Sequence, residues 1–68
     1  MTVSSQVKQT LAGLKSAQAS LEQFALQTQN KRTKELYEGA AQQTDSIIKS
    51  IEPRLQEIEL EEPQYRNE

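Results

Sequence analysis

The residues that could perform chemistry in this 68-residue chain are few and poorly grouped. Ser5 and Lys8 have the Ser-x-x-Lys spacing of penicillin-binding enzymes, but the other motifs of those enzymes are missing. The sequence contains 0 Cys and 0 His, so thiol and imidazole chemistry have no donor. Glu35 and Glu38 could act as an acid–base pair only inside a dry cleft, which a rod of two helices does not provide. We therefore expect no enzyme activity, no catalytic residue and no cofactor.

Carboxylates gather near the end of the sequence, where four of them could hold a divalent cation. The cluster consists of Glu57, Glu59, Glu61 and Glu62. Calcium sites use a loop of Asp, Asn and Gly that this segment lacks. A solvated acidic end is the simpler interpretation, and the sequence predicts no metal site.

Charge is distributed unevenly along the chain. Residues 1–34 carry five cations against one carboxylate, whereas residues 35–68 carry three cations against nine carboxylates. The net charge of −2 gives no indication of a nucleic-acid partner. Lys31, Arg32 and Lys34 form a basic cluster that could contact an anion or a membrane surface, although a solvated turn is the simpler reading.

Apolar residues recur with the period of an α-helix in two stretches, and period-two alternation is absent. They predict an amphipathic helix from about residue 4 to residue 28, a turn at 29–30, and a second helix over about 31–60. Asn30 is a favourable N-cap for the second helix. At Pro53 we expect a kink, or a new helical turn that begins there, and no reversal of direction, because the apolar residues keep their phase on both sides. Residues 61–68, which include Pro63, are predicted to form an acidic flexible tail.

Two helices joined by one tight turn predict an all-α fold, a two-helix antiparallel hairpin over residues 1–60. Facing residues should have numbers that add up to about 60, which brings Phe24 against Leu36 and Tyr37. The predicted interaction stripe comprises Val7, Leu11, Leu14, Leu21, Phe24, Leu36, Tyr37, Ile47, Ile48, Ile51, Leu55 and Ile58. The stripe is wider than a two-helix seam needs, and so short a chain buries too little on its own. We therefore expect a homodimer that forms a four-helix bundle.

The ends of this hairpin differ in charge, and a second seam follows the first helix. An antiparallel dimer would set each basic turn beside the acidic end of the second copy. Ala12, Ala19 and Leu26 are a candidate partner seam, because their seven-residue spacing permits close approach of another helix. Good helix formers on a surface are the simpler explanation of that pattern.

Membrane contact is conceivable for two amphipathic helices, but nothing in the sequence specifically indicates it. The polar face of the first helix is rich in Gln, and the second helix is acidic, so anionic lipid should repel much of the chain. No apolar run exceeds three residues, as at Phe24 to Leu26, so we expect neither a membrane span nor a secretory signal. These features predict a cytoplasmic location.

Three segments resemble a known family. Leu11 to Asn30, which reads LAGLKSAQASLEQFALQTQN, and the closing IEPR (51–54) and EEPQY (61–65) are similar to short proteins of unknown function from spore-forming bacilli. The genes of that family often neighbour the stage V sporulation genes, and the resemblance covers Thr2 to Tyr65. It implies a role in sporulation, contacts with other spore proteins, and a location that includes the developing spore.

The function that we expect combines this resemblance with the helical pattern. It is that of a small non-enzymatic, sporulation-associated protein that acts through helix-mediated self-association and protein–protein contacts. The alternative is a peripheral module on the spore inner membrane that is associated with a membrane channel complex.

Overall fold

The described part of the chain, residues 3–61 of a computed structural model, consists of two helices. Helix α1 spans Val3–Gln27 and helix α2 spans Lys31–Glu61. No strand occurs within residues 3–61. The two helices pack against each other in an elongated body of 52 × 17 × 11 Å. The predicted all-α helical hairpin is confirmed.

The connection at residues 28–30 is built from local hydrogen bonds. The backbone N–H of Thr28 donates to the carbonyl of Phe24 at 3.0 Å, which extends the hydrogen-bond pattern of α1. The Asn30 side-chain oxygen accepts the N–H of Thr33 at 2.9 Å, and the Asn30 carbonyl accepts the N–H of Lys34, also at 2.9 Å. Asn30 is therefore the N-cap of α2, as predicted, because it satisfies backbone donors that the first turn leaves unpaired.

Helix α2 continues through Pro53, where the sequence predicts a kink. Proline has no N–H, so the carbonyl of Lys49 lacks its usual helical donor. Pro53 is exposed, which leaves water access to that side of the helix, while Leu55 is buried in the same line as Ile48. The predicted acidic tail over 61–68 lies outside the described residues, except Glu61, which is the last residue of α2.

The buried core is a narrow line along the contact between the helices. Its members are Leu11 and Ala25 on α1, and Ala41, Ile48 and Leu55 on α2. Residues 41, 48 and 55 are seven apart, and residues 11 and 25 are twice seven apart, which is the repeat of a coiled coil. Leu11, Ile48 and Leu55 form one cluster, and Val7, Leu14 and Ile51 pack against it. The small side chains at 25 and 41 line the contact nearer the turn.

The register near the turn agrees with the predicted sum of about 60, but the ion pairs between the helices depart from it. The rings of Phe24 and Tyr37 meet near the turn with centroids 5.7 Å apart, and these numbers add up to 61. The two ion pairs between the helices join residues whose numbers add up to 67, Lys15 with Glu52 among them. Helical side chains lean toward the N-terminus of their own helix. In an antiparallel pair this lean raises the sum for both partners, and long charged side chains raise it most.

Candidate interaction surfaces

One side of the hairpin carries a row of charged residues that crosses from helix to helix. Lys8 Nζ lies 2.8 Å from a carboxylate oxygen of Glu59, and Lys15 Nζ lies 2.8 Å from Glu52. The partners are seven residues apart on each helix, so both rungs repeat the same geometry. Their side chains are 31–60% exposed, and each pair contributes about 0.2–1 kcal/mol of stability. We call the side that carries these pairs the charged face.

The third rung of this row lies one heptad closer to the turn, and on α1 it has a negative residue where the first two rungs have a positive one. Glu22 takes the place that Lys8 and Lys15 hold in the first two rungs, and it lines the same surface groove as Asp45. Two carboxylates in one rung repel each other instead of pairing. Within residues 3–61, Glu22 forms no ion pair.

Asp45 is compensated by its own helix and by α1. Lys49 Nζ lies 2.9 Å from one carboxylate oxygen, and the Gln18 side-chain amide donates to the other at 3.3 Å. The hydrogen bond from Lys49 is the main reason that the pKa of Asp45 is lowered. The same hydrogen bond raises the pKa of Lys49. The third rung is therefore stabilised within α2, and Gln18 supplies its cross-helix contact.

The opposite side of the hairpin is apolar. Its members are Val3, Leu14, Leu21 and Phe24 on α1, and Leu36, Ile47, Ile51 and Ile58 on α2, and we call it the open apolar face. Several of these large side chains are well exposed, including Leu36 at 68%, Val3 at 58% and Ile47 at 48%. Large contiguous apolar patches are rare on the surfaces of soluble monomers, and where they occur they are typical of interaction sites.

On both helices, the apolar residues beside the core lie on the same side of the hairpin, because the helices are antiparallel. Four positions after Leu11 and Ile48 in the core are the charged residues Lys15 and Glu52, whereas three positions after them are the apolar residues Leu14 and Ile51. The surface depressions follow the same division. Ile51 lines one with Val7 and Thr10, while Glu52 lines another with Lys8 and Lys15. The hairpin thus carries its ion pairs on one side and a mostly apolar surface, with Gln6 and Thr10 among its residues, on the other.

The residues of the predicted stripe are divided between the core and the open apolar face. Leu11, Ile48 and Leu55 are buried in the contact between the helices. Val7, Leu14, Leu21, Tyr37, Ile51 and Ile58 are half-buried at its edge. Phe24, Leu36 and Ile47 are exposed, although the Phe24 ring packs edge-on against Tyr37 with an angle of 61° between the planes.

The predicted partner seam lies toward the charged face. Ala12, Ala19 and Leu26 are all exposed. Leu26, at 79%, is more exposed than Val3 and Phe24, the other two large apolar side chains of α1 that are exposed. Ala12 lines the depression beside Lys15, and Leu26 lines the groove that holds Glu22 and Asp45. The structure therefore separates this seam from the open apolar face.

The charged row is a feature that the sequence reasoning missed. Its signal is present in the sequence, because Lys8 and Lys15 are seven residues apart, as are Glu52 and Glu59. Matching those two spacings across an antiparallel pair would have located the charged face. It would also have assigned the open apolar face to the other side.

The basic cluster at the turn and the carboxylates around Arg54 lie on the surface of the hairpin. Lys31 and Arg32 are exposed, and Arg54 lies 3.7 Å from Glu57 and 3.6 Å from Glu61. No group of three or more acidic, His or Cys residues that could hold a metal ion occurs within residues 3–61. Neither α1 nor α2 has a stretch long and apolar enough to cross a membrane.

The fold and its surfaces define a class: an antiparallel helical hairpin with one charged face and one open apolar face. The comparison with protein families identifies a particular family within it. The family described as Protein of unknown function (DUF1657) matches residues 7–55, which is most of the chain, so the chain belongs to this family. The matched region runs from Val7 to Leu55 and contains all five buried core residues. No curated protein and no solved structure matches the chain.

Proposed function

We propose that this chain is a non-enzymatic interaction protein, which associates through its open apolar face with a second copy of itself and docks onto other proteins. The observation that carries the proposal is the exposure of Leu36, Ile47 and Val3 on one side of a hairpin whose other side is charged. Complete burial of a large aliphatic side chain is favourable by about 1.5–3 kcal/mol relative to leaving it exposed. A partner that covers the face would therefore be bound favourably, because it buries side chains that are exposed in the isolated hairpin.

The biological setting of the proposal is sporulation. It rests on the resemblance of residues 11–30, 51–54 and 61–65 to short proteins of spore-forming bacilli. In that setting the partners are other spore proteins, and the chain acts in the cytoplasm or in the developing spore.

Sedimentation velocity with one substitution on each face tests this function. Ile47→Glu places a charge on the open apolar face, and Ser46→Glu places the same charge on its exposed neighbour, which points away from that face. We expect the unmodified chain and Ser46→Glu to sediment as an assembly at micromolar concentration, and Ile47→Glu to sediment as a folded single chain. Equal sedimentation of all three as single chains would contradict self-association.

The second candidate function is a peripheral membrane module, and the same open apolar face favours it. A flat apolar face on a pair of helices can insert into the boundary between headgroups and acyl chains. Cosedimentation with vesicles of neutral lipid separates the two functions, because neutral lipid removes the charge contribution. We expect the chain to remain in the supernatant, whereas binding that Ile47→Glu abolishes and Ser46→Glu preserves would favour the membrane module.

A further inference from the structure

We infer that the occupant of the open apolar face is a second copy in antiparallel orientation, with the two-fold axis passing near Leu14 and Ile47. The inference rests on the proposed function and specifies its geometry. It predicts which residues of the two copies meet, which the sequence pattern alone does not determine.

The dimensions of the face fit a partner of the same length. The broad side of the hairpin measures 52 by 17 Å, which is about 880 Å². A stable interface of standard size buries roughly 800 Å² on each partner. The apolar residues extend over the whole length, from Phe24 and Leu36 near the turn to Val3 and Ile58 at the other end. A second hairpin covers this length completely, whereas a single short segment would leave part of it in water.

The distribution of charge selects the antiparallel orientation. Residues 28–38 at the turn end carry three cations, Lys31, Arg32 and Lys34, against two carboxylates. At the other end, residues 3–15 and 52–61 carry three cations against four carboxylates. The three cations of the turn form no ion pair within residues 3–61. At the far end, Glu57 and Glu61 both contact one cation, Arg54, at 3.6–3.7 Å. Antiparallel packing places opposite charges together, whereas parallel packing places the unpaired cations side by side.

The position of the axis follows from the length of the helices. A helix rises about 1.5 Å per residue, so Leu14 lies roughly 20 Å and Ile47 roughly 25 Å from the turn, close to the middle of the body. In an antiparallel dimer with two-fold symmetry, a residue that lies at the axis meets the same residue of the second copy. Leu36, near the turn, meets the far end of the second copy, where Ile58 lies.

Cysteine cross-linking tests this geometry directly, because the chain contains 0 Cys. Single variants Ile47→Cys, Ser46→Cys, Leu36→Cys and Ile58→Cys are treated with a short bis-maleimide, and the products are separated by mass. We expect Ile47→Cys to link to itself and Ser46→Cys, at the same height on the other side, to give no product. We expect Leu36→Cys alone to give no product, and a mixture of Leu36→Cys with Ile58→Cys to give the mixed product.

Each alternative result has a distinct meaning. Self-linking of Leu36→Cys, without the mixed product, would overturn the antiparallel orientation while leaving self-association intact. Linking of Ser46→Cys but not Ile47→Cys would overturn the assignment of the face. No linking of any variant, in a chain that sediments as a single molecule, would overturn both this inference and self-association. Far-ultraviolet circular dichroism checks that each variant keeps its helices, which is expected because Leu36 and Ile47 are exposed in the hairpin.

Discussion

The two glycines of the hairpin offer a quantitative test of its helices that does not involve the open apolar face. Gly13 lies inside α1 and Gly39 lies inside α2, and neither has a positive φ angle. A Cβ atom built at either position meets no atom within 4 Å. Alanine therefore fits both places without strain, and it removes the conformational freedom that glycine gives to the unfolded chain.

The expected gain follows from helix propensity. Each Gly→Ala change should raise the free energy of unfolding by about 0.5–1 kcal/mol. The two sites lie on different helices and share no contact, so their effects should add. The combined variant should gain about 1–2 kcal/mol, and each kcal/mol corresponds to roughly 4–8 °C in Tm for a chain of this size.

The assay is thermal and urea unfolding followed by circular dichroism, at one fixed chain concentration because self-association shifts Tm. Ala19→Gly, at an exposed position inside α1, is the matched control and should lose the same amount of stability. If Ala19→Gly destabilises the chain while Gly13→Ala has no effect or destabilises it too, the reasoning is refuted. That result would mean that something packs against Gly13.

The remaining predictions concern the turn and the third rung of the charged row. Asn30→Ala removes the cap on the Thr33 N–H and should cost about 1 kcal/mol in urea unfolding, whereas Asn30→Asp keeps an acceptor and should cost little. Glu22→Lys gives Asp45 a partner across the helices and should raise Tm at low salt by more than Glu22→Gln does, with a gain that shrinks as salt is added. Equal gains at all salt concentrations would exclude a new ion pair. The pKa of Asp45 is lowered in the folded chain, so its contribution to stability is present above the ordinary carboxyl range and is lost as the pH falls through the folded value. Asp45→Asn should therefore flatten the acid side of the pH–stability curve, and an unchanged acid slope would contradict the role of its contact with Lys49.

Much of the fold could be predicted from the sequence because its signals are local. Helical periodicity gives both elements, and Asn30 gives the start of α2 through a side-chain cap that needs no tertiary context. The contact between Phe24 and Tyr37 follows from the turn position alone, and the structure confirms it.

The rotation of each helix about its own axis could not be predicted from the apolar stripe. That stripe is several columns wide, and any of its columns could have faced the other helix. The column that faces inward contains Ala25 and Ala41, whose small side chains allow close approach near the turn. The pairs of Lys8 with Glu59 and Lys15 with Glu52 close one edge of that contact. This rotation exposes Ile47 and Leu36, although they have the same apolar character as buried Ile48.

The prediction therefore identified the apolar residues of the stripe, but it did not say which of them are buried between the helices and which are exposed. Ile47 and Ile48 are neighbours in the sequence, but they are 48% and 3% exposed respectively. The division between core and surface depends on packing between the helices, which periodicity does not contain. It is this division that gives the chain a surface available for a partner.

The central claim is that a second copy of the chain covers the open apolar face. An isotope-filtered NOE experiment tests it most directly, using a mixture of chains with labelled Ile methyl groups and unlabelled chains. We predict NOEs between the Ile47 methyl groups of one chain and the Leu14 or Ile47 side chains of another. NOEs from Ile47 only to its own chain and to water, at a concentration where the protein is folded, would contradict the account.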